Sequence, residues 1–363
     1  MDRTKAPHVG RNSGIEILRL FLMFLLIIYH SYVHGSGYSL NSFSYTDFFG
    51  AIYSSLGRFA VLVFFLISGY FSSSETLNIT KVLRLVLEVL FYIALWSIVL
   101  NLTKEITWDY MTFRNLFTNY WFINVYIFVM VLNPFYVKLA NILTRKQCIF
   151  LFLAITFLSD FLIHFLKNSY SELLYCSLGF MVGYYLKKYG LHINYKWRLG
   201  GILSFIFAIG FRFLLLDANG IYDMHYDSTM LTELSSPFMM IAGMALLLEF
   251  VSFKPFVSPL LNSLASGVFG VYLIHDFYPT YHLFWERMFF MQKHIQMGYG
   301  WIYAPFLGVF ILFSGLFFDY VPHCLYEKPL FYLLTKPLMA LQTKIDGILP
   351  PERRRSQIVI VKI

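Results

Sequence analysis

The sequence predicts an all-α polytopic membrane protein with about ten transmembrane helices and with both termini in the cytoplasm. Three observations predict this class. Hydrophobic residues make up 58% of the 363 residues and charged residues only 13%, which excludes a soluble globular domain with a polar surface. Apolar runs of about 17 to 25 residues, enough to cross a bilayer as a helix, recur along the chain. Lysine and arginine are unequally divided between the segments that join these runs.

Ten apolar runs are long enough to be spans, although the sixth is short and the count holds to within one. The first follows Arg3, Lys5 and Arg11. It lacks the small-residue cleavage site of a secretion signal and contains ionisable groups, so we predict a retained helix. The predicted spans cover 15–34, 48–71, 82–103, 121–143, 148–166, 172–187, 199–216, 235–253, 263–285 and 301–323.

The distribution of basic residues predicts the orientation of these spans. With the N-terminus inside, nineteen lysines and arginines fall on cytoplasmic segments and five on the opposite loops. The loop 217–234, which contains Asp217, Asp223, Asp227 and Glu233 but no lysine or arginine, agrees with this orientation. We predict one membrane domain, residues 1–323. A basic cytoplasmic tail, residues 324–363, follows it and would lie against the anionic inner leaflet.

The first predicted span carries three ionisable residues, Glu16, Arg19 and His30. Arg19 and His30 are eleven residues apart, about 20° past three whole helical turns, so they share one face. Glu16 stands three residues before Arg19, where an ion pair can form. Ionisable groups within a span cost at least about 2.5 kcal/mol, which makes these residues functional candidates. A structural hydrogen bond from His30 to a neighbouring helix is the alternative. His34 is predicted to be interfacial.

The next two spans add further polar residues. Arg58 falls near the middle of the second span, and Ser68 and Gly69 near its cytoplasmic end. The small pair suits either close approach of a ligand or helix packing. Lys81 and Arg84 lie one turn apart at the cytoplasmic entrance of the third span. They would suit the phosphates of an anionic ligand, and the ordinary positive-inside flank is the alternative.

Three cysteines, Cys148, Cys176 and Cys324, lie far apart in apolar surroundings. Their spacing matches neither a zinc site nor a redox motif. We therefore predict small buried hydrophobic residues and expect no metal cofactor.

Four segments, in order, resemble the integral-membrane acyltransferase family 3, whose members O-acylate sugars and peptidoglycan. The family's first helix carries an acid, then arginine or lysine, ten residues and histidine, as Glu16, Arg19 and His30 do here. "FFLISGYF" at 64–71 resembles its Phe-Phe-x-x-Ser-Gly-Phe/Tyr signature. The resemblance runs from about residue 11 to 320. The other two segments are "YWFINVYIF" at 120–128, with Trp121, Phe122 and Tyr126, and "GVYLIHDF" at 270–277, with Tyr272 and His275.

The resemblance implies an O-acyltransferase in the inner or plasma membrane. Its expected donor is acyl-CoA, most simply acetyl-CoA, and its expected acceptor is a hydroxyl of a cell-surface or lipid-linked glycan. Membrane lipids are expected partners and nucleic acid is not. His30 would act as general base or acyl carrier, helped by Glu16, Arg19 and His275. Lys81, Arg84 and Arg58 would bind the donor. The residues expected to contact substrate or line the cavity are Ser68, Gly69, Trp121, Tyr126 and Tyr272.

Two features depart from the family pattern. Many members have Arg-x-x-Arg where this chain has Lys81 and Arg84, which keeps the charge but removes one bidentate group. The extracytoplasmic hydrolase-like domain that some members append is not expected here.

Asp276 directly follows His275, but on a continuous helix it would point about 100° away, so no His-Asp pair is predicted from adjacency.

Two other membrane functions compete with acyl transfer. A transporter or flippase of lipid-linked sugars would also carry buried arginines and histidines, but the paired repeats typical of transporters are not visible. A polysaccharide polymerase or ligase would need a larger outer loop than 217–234.

Overall fold

The computed structural model describes residues 11–35, 45–72, 77–104, 120–166, 171–222, 228–322, 337–345 and 347. Within these ranges the secondary structure is helical and no strand occurs, which confirms the all-α polytopic class. The arginine run 353–355, Cys324, Asp223, Asp227 and the predicted boundary after residue 323 lie outside the described residues.

Nine of the ten predicted spans each fall on a single helix, and the ninth in order, 263–285, does not. Eight long helices are α1 Ser13–Gly35, α2 Tyr45–Phe71, α3 Ile79–Leu102, α4 Trp121–Ile142, α5 Arg145–Leu166, α6 Ser171–Lys188, α7 Tyr195–Tyr222 and α12 Gly300–Pro322. The shorter helices are α8 Pro237–Ser252, α9 Pro259–Ser266, α10 Val268–His275 and α11 Met291–Gln296, with a 3₁₀ turn Tyr278–Thr280 and a π-helix His282–Met288.

Six of these helices, α1, α2, α3, α4, α7 and α12, are long and apolar enough to cross a membrane. A seventh crossing is possible if the bent pair Pro259–His275 and Tyr278–Met288 forms one span. The predicted spans 148–166, 172–187 and 235–253 fall on α5, α6 and α8, which are not among these six helices. Helix α8 has only 16 residues. Several such helices make the chain a multi-pass membrane protein, since a helix satisfies its own backbone hydrogen bonds in lipid.

The ninth predicted span differs from the continuous helix expected over 263–285. The helix ends at His275, and the two halves of the segment meet at 64°. Phe277 is extended, with φ −84° and ψ 111°, and Pro279 lies in the following 3₁₀ turn. Proline has no amide hydrogen and disfavours helical geometry in the residue before it, so the helix stops short of it.

Close packing of α2 against α6 explains one predicted residue, Gly69. A Cβ at Gly69 would stand 1.8 Å from the carbonyl oxygen of Phe180. A Cβ at Gly183, on α6, would stand 2.1 Å from the carbonyl oxygen of Leu66. Small residues at such crossings let helix backbones approach closely. Of the two alternatives for Gly69, the structure therefore favours helix packing.

Candidate active site

A cavity of about 410 Å³ lies between α1, α2, α3, α4 and the α9–α10 segment. One end is cationic and the other is aromatic. The cationic end is formed by Arg11, Arg19, Lys81 and Arg84, and the aromatic end by Phe122, Tyr126, Phe269 and Tyr272. One carboxylate, Glu88, also lines the cavity, one turn after Arg84 on α3.

One face of α1 follows this cavity along its length. Arg19, Met23 and Leu26 line the cavity at spacings of four and three residues. The next position on that face, four residues further, is His30. His30 is buried, with 4% of its surface exposed. The predicted shared face of Arg19 and His30 thus leads from the cationic end of the cavity to a buried imidazole.

The face of α2 that lines the cavity continues in the same way. Ser68, Phe64 and Val61 line it, and the next position on that face is Arg58. From α10 comes Tyr272, whose ring centroid lies 6.4 Å from that of His30. Tyr272 therefore joins the aromatic end of the cavity to His30.

The cationic end is organised by a buried carboxylate. Glu16 is 2% exposed, and its Oε1 accepts a hydrogen bond of 2.6 Å from Nη1 of Arg19. Nε of Arg11 lies 3.1 Å from the same oxygen. Glu16 thereby positions two guanidinium groups at the cavity, as predicted for Arg19. Together with Lys81 and Arg84, these groups form a site that suits phosphate groups.

His30 and His275 contact each other directly. Nδ1 of His30 lies 3.0 Å from Nε2 of His275, and Nδ1 of His275 lies 2.6 Å from the carbonyl oxygen of Val271. Because a carbonyl only accepts, Nδ1 of His275 carries the hydrogen, and Nε2 of the neutral ring accepts. Nδ1 of His30 is then the donor. The free lone pair of neutral His30 is therefore on Nε2.

Asp276 is the site residue that sequence reasoning missed. Its Oδ1 lies 3.4 Å from Nδ1 of His30, and the residue is 3% exposed. The predicted angle of about 100° from His275 does not apply, because the helix ends at His275 and Asp276 has φ −113° and ψ 28°. The sequence signal that could have found it is Pro279, which interrupts the helix three residues later.

His34 joins the same cluster. Its Nε2 lies 3.4 Å from Oδ1 of Asp276, and its ring stacks on Tyr281 with centroids 3.8 Å apart. The hydroxyl of Tyr281 donates to Oδ1 of Asp276. The residue predicted to be only interfacial thus contacts the buried carboxylate.

Arg58 and Trp121 form a second group, outside the set of described residues that line the cavity. The guanidinium carbon of Arg58 lies 5.6 Å from the Trp121 ring centroid, within cation–π range. Nη1 of Arg58 lies 3.7 Å from Glu172, and Nε lies 3.4 Å from Glu233. The structure therefore separates Arg58 from Lys81 and Arg84, with which it was grouped as donor-binding.

Comparison with known proteins agrees with this arrangement. The sequence matches the family model Acyl_transf_3, described as an acyltransferase domain, over residues 12–321. That range contains α1 to α11 and every site residue described above except Arg11. No curated protein and no solved structure gives a significant match. The match covers most of the chain, and the protein belongs to the integral-membrane acyltransferase family 3.

Proposed function

We propose that this acyltransferase moves an acyl group, most simply acetyl, from cytoplasmic acyl-CoA to a hydroxyl of a cell-surface or lipid-linked glycan. The observation that carries the proposal is the polarity of one cavity. It has Arg11, Arg19, Lys81 and Arg84 at one end, and at the other it approaches the buried pair His30 and His275.

The cationic end fits the donor by charge. Coenzyme A carries several phosphate charges, and the four cations lie where the basic-residue bias predicts the cytoplasm. Arginine binds phosphate oxygens through two parallel hydrogen bonds and lysine acts as a compact point charge, so the set anchors the nucleotide. The pantetheine arm would then extend past Leu26 and Phe64 toward the histidines.

His30 fits the role of general base. Its Nε2 lone pair takes the proton of the acceptor hydroxyl as that oxygen attacks the thioester carbonyl. The new C–O bond forms, the C–S bond breaks, and the proton passes to the departing thiolate. The buried carboxylate of Asp276, 3.4 Å from Nδ1, stabilises the imidazolium that exists between the two proton transfers.

An acyl carrier role for the same atom predicts a different observable. If Nε2 of His30 attacks the thioester itself, label from acyl-CoA stays on the protein when acceptor is withheld. The base role that we propose predicts no retained label under those conditions.

Trp121 and Arg58 fit the acceptor better than the donor. An indole ring offers a flat face to a sugar, and Arg58 beside it supplies hydrogen-bond donors. Glu172 and Glu233 hold the guanidinium from two sides, and both belong to loop ends that the charge bias assigns to the outer face. We therefore assign this group to the acceptor side of His30.

Surface glycan from cells with and without the gene tests the proposal. Mass spectrometry should show that normally assembled glycan loses a constant mass per acylated unit in the deletion strain, and this mass names the acyl group. Glycan that is missing or truncated, with no change in acylation, would favour a flippase and contradict the proposal. Complementation with His192→Ala, an exposed histidine between α6 and α7, serves as a positive control.

A further inference from the structure

We propose that His30, His34 and Asp276 form a binding site for a zinc-class divalent cation, and that occupancy of this site switches acyl transfer off. The first part concerns three donor atoms in the described structure. The second part rests on the proposed function, because it concerns the protonation of His30.

The donor atoms have the spacing of a metal site. Nδ1 of His30, Nε2 of His34 and Oδ1 of Asp276 all lie within 4.8 Å of one another. The two distances to Asp276 Oδ1 are 3.4 Å and 3.4 Å. Metal–ligand bonds of about 2.0 to 2.1 Å at tetrahedral angles give ligand–ligand separations of about 3.3 to 3.5 Å. Two of the three separations therefore match those of a tetrahedral cation site, and the third, between the two imidazole nitrogens, is at most 4.8 Å.

The backbone presents both imidazoles on one side. His30 and His34 are four residues apart on α1, the spacing at which two helical histidines bind one zinc ion. Asp276 comes from the chain just after α10, so the ligands join two separate elements. Three protein ligands leave one position open to water or another donor.

Neighbouring groups orient these ligands. The hydroxyl of Tyr281 donates to Oδ1 of Asp276, and the Tyr281 ring stacks on His34 at 3.8 Å. Such contacts fix carboxylate and imidazole orientations in metal sites. The side chain of Asp276 is 4% exposed and that of His34 is 21% exposed, so an ion would enter past His34.

Two imidazole nitrogens and one carboxylate oxygen favour zinc, copper, nickel or cobalt over magnesium or calcium, which prefer oxygen donors alone. A cation on Nδ1 of His30 displaces the hydrogen that this atom donates to His275. The neutral ring then carries its hydrogen on Nε2, which removes the lone pair needed to accept a proton from the acceptor. Metal occupancy and base catalysis thus exclude each other.

Direct metal binding tests the first part. The full chain, purified with a tag that contains no histidine and stripped with a chelator, is titrated with Zn²⁺ by calorimetry. We expect one ion per chain, at least tenfold weaker binding in His34→Ala, severalfold weaker binding in Tyr281→Phe, and unchanged binding in His192→Ala. Tyr281→Phe keeps the stacked ring, so it remains informative if His34→Ala fails to fold.

The absence of saturable Zn²⁺ binding in the wild-type chain would overturn the proposal, as would equal affinity in wild type, His34→Ala and Tyr281→Phe. Inhibition tests the second part. Zn²⁺ should abolish acyl transfer reversibly with chelator, while Mg²⁺ should not. Zinc that binds with the expected variant pattern but leaves transfer unchanged would overturn the switch. Lack of transfer in the metal-free protein would instead count against the proposed function, and the binding titration would stand on its own.

Discussion

At the scale of single residues, the site depends on which nitrogen of His30 carries hydrogen. The Val271 carbonyl fixes the hydrogen of His275 on Nδ1, and the contact of 3.0 Å passes that constraint to His30. The lone pair of neutral His30 is thereby held on Nε2, and the carboxylate of Asp276 does not need to be protonated for this. In the proposed mechanism, Asp276 acts by its charge.

Asp276→Asn tests this electrostatic role. The amide has nearly the same shape but no charge, so the imidazolium of His30 loses its stabilisation in a buried site. We expect kcat for acyl transfer to fall about 10- to 100-fold, with KM for acyl-CoA little changed. Asp217→Asn, which alters an exposed carboxylate on α7, is the matched control. A normal kcat in Asp276→Asn would remove the carboxylate from the mechanism.

The site residues on α1 could be predicted from the sequence. Glu16, Arg19 and His30 follow helical spacing within one element, and spacing within a helix is fixed by its geometry. His275 was grouped with His30 only through the family resemblance, and their direct contact was not predicted. The contact between Asp276 and His34 could not be predicted, because it depends on the end of the helix at His275, and helical geometry does not describe the chain beyond that point.

At the scale of elements, glycines set how closely helices approach. Gly69 of α2 and Gly183 of α6 lie against backbone carbonyls of the opposite helix, and a carbonyl cannot swing away as a side chain can. The α2–α6 contact in turn holds the α2 face that carries Phe64 and Arg58. A family signature that looks functional thus has a packing component.

Gly69→Ala should destabilise the protein by about 1 to 3 kcal/mol, because the added methyl group overpacks a helix crossing. Thermal denaturation of the purified protein in detergent measures this as a lower midpoint. Gly210→Ala is the matched control, since nothing lies within 4 Å of a Cβ at Gly210 on α7. That variant should be neutral or slightly more stable. Equal midpoints for the two variants would contradict the packing account.

The long apolar helices could be predicted from the sequence, because a run of about 20 apolar residues permits few structures in a membrane. The bent segment that begins with α9 could not be predicted as two parts at an angle. Its total hydrophobicity matches one span, and the bend depends on local chain geometry around Asp276 and Pro279.

At the scale of the whole molecule, one cavity runs from a cationic end toward the buried cluster of His30, His275 and Asp276. The charge bias of the loops predicts that the cations of the cavity lie on the cytoplasmic side, which is the side of the proposed donor. In the proposed function, the acceptor binds around Trp121 and Arg58, on the outer side of His30. The proposal thus places donor, base and acceptor in series.

The double variant Lys81→Ala with Arg84→Ala tests the donor end. We expect at least a tenfold increase in KM for acyl-CoA with kcat little changed, because the two cations contribute binding that is equal in the ground and transition states. Wild-type KM should rise with salt more steeply than that of the variant. Lys146→Ala with Lys196→Ala, two exposed lysines that do not line the cavity, is the control. Unchanged KM would mean that Lys81 and Arg84 serve only topology.

The most direct test of the central claim is transfer of radiolabelled acetyl from acetyl-CoA to isolated glycan by the purified, reconstituted protein. Wild type and His192→Ala should transfer label, and His30→Ala should lose at least about 100-fold in rate while purifying in equal yield, since it lacks the general base. Transfer by His30→Ala at the wild-type rate would contradict the account.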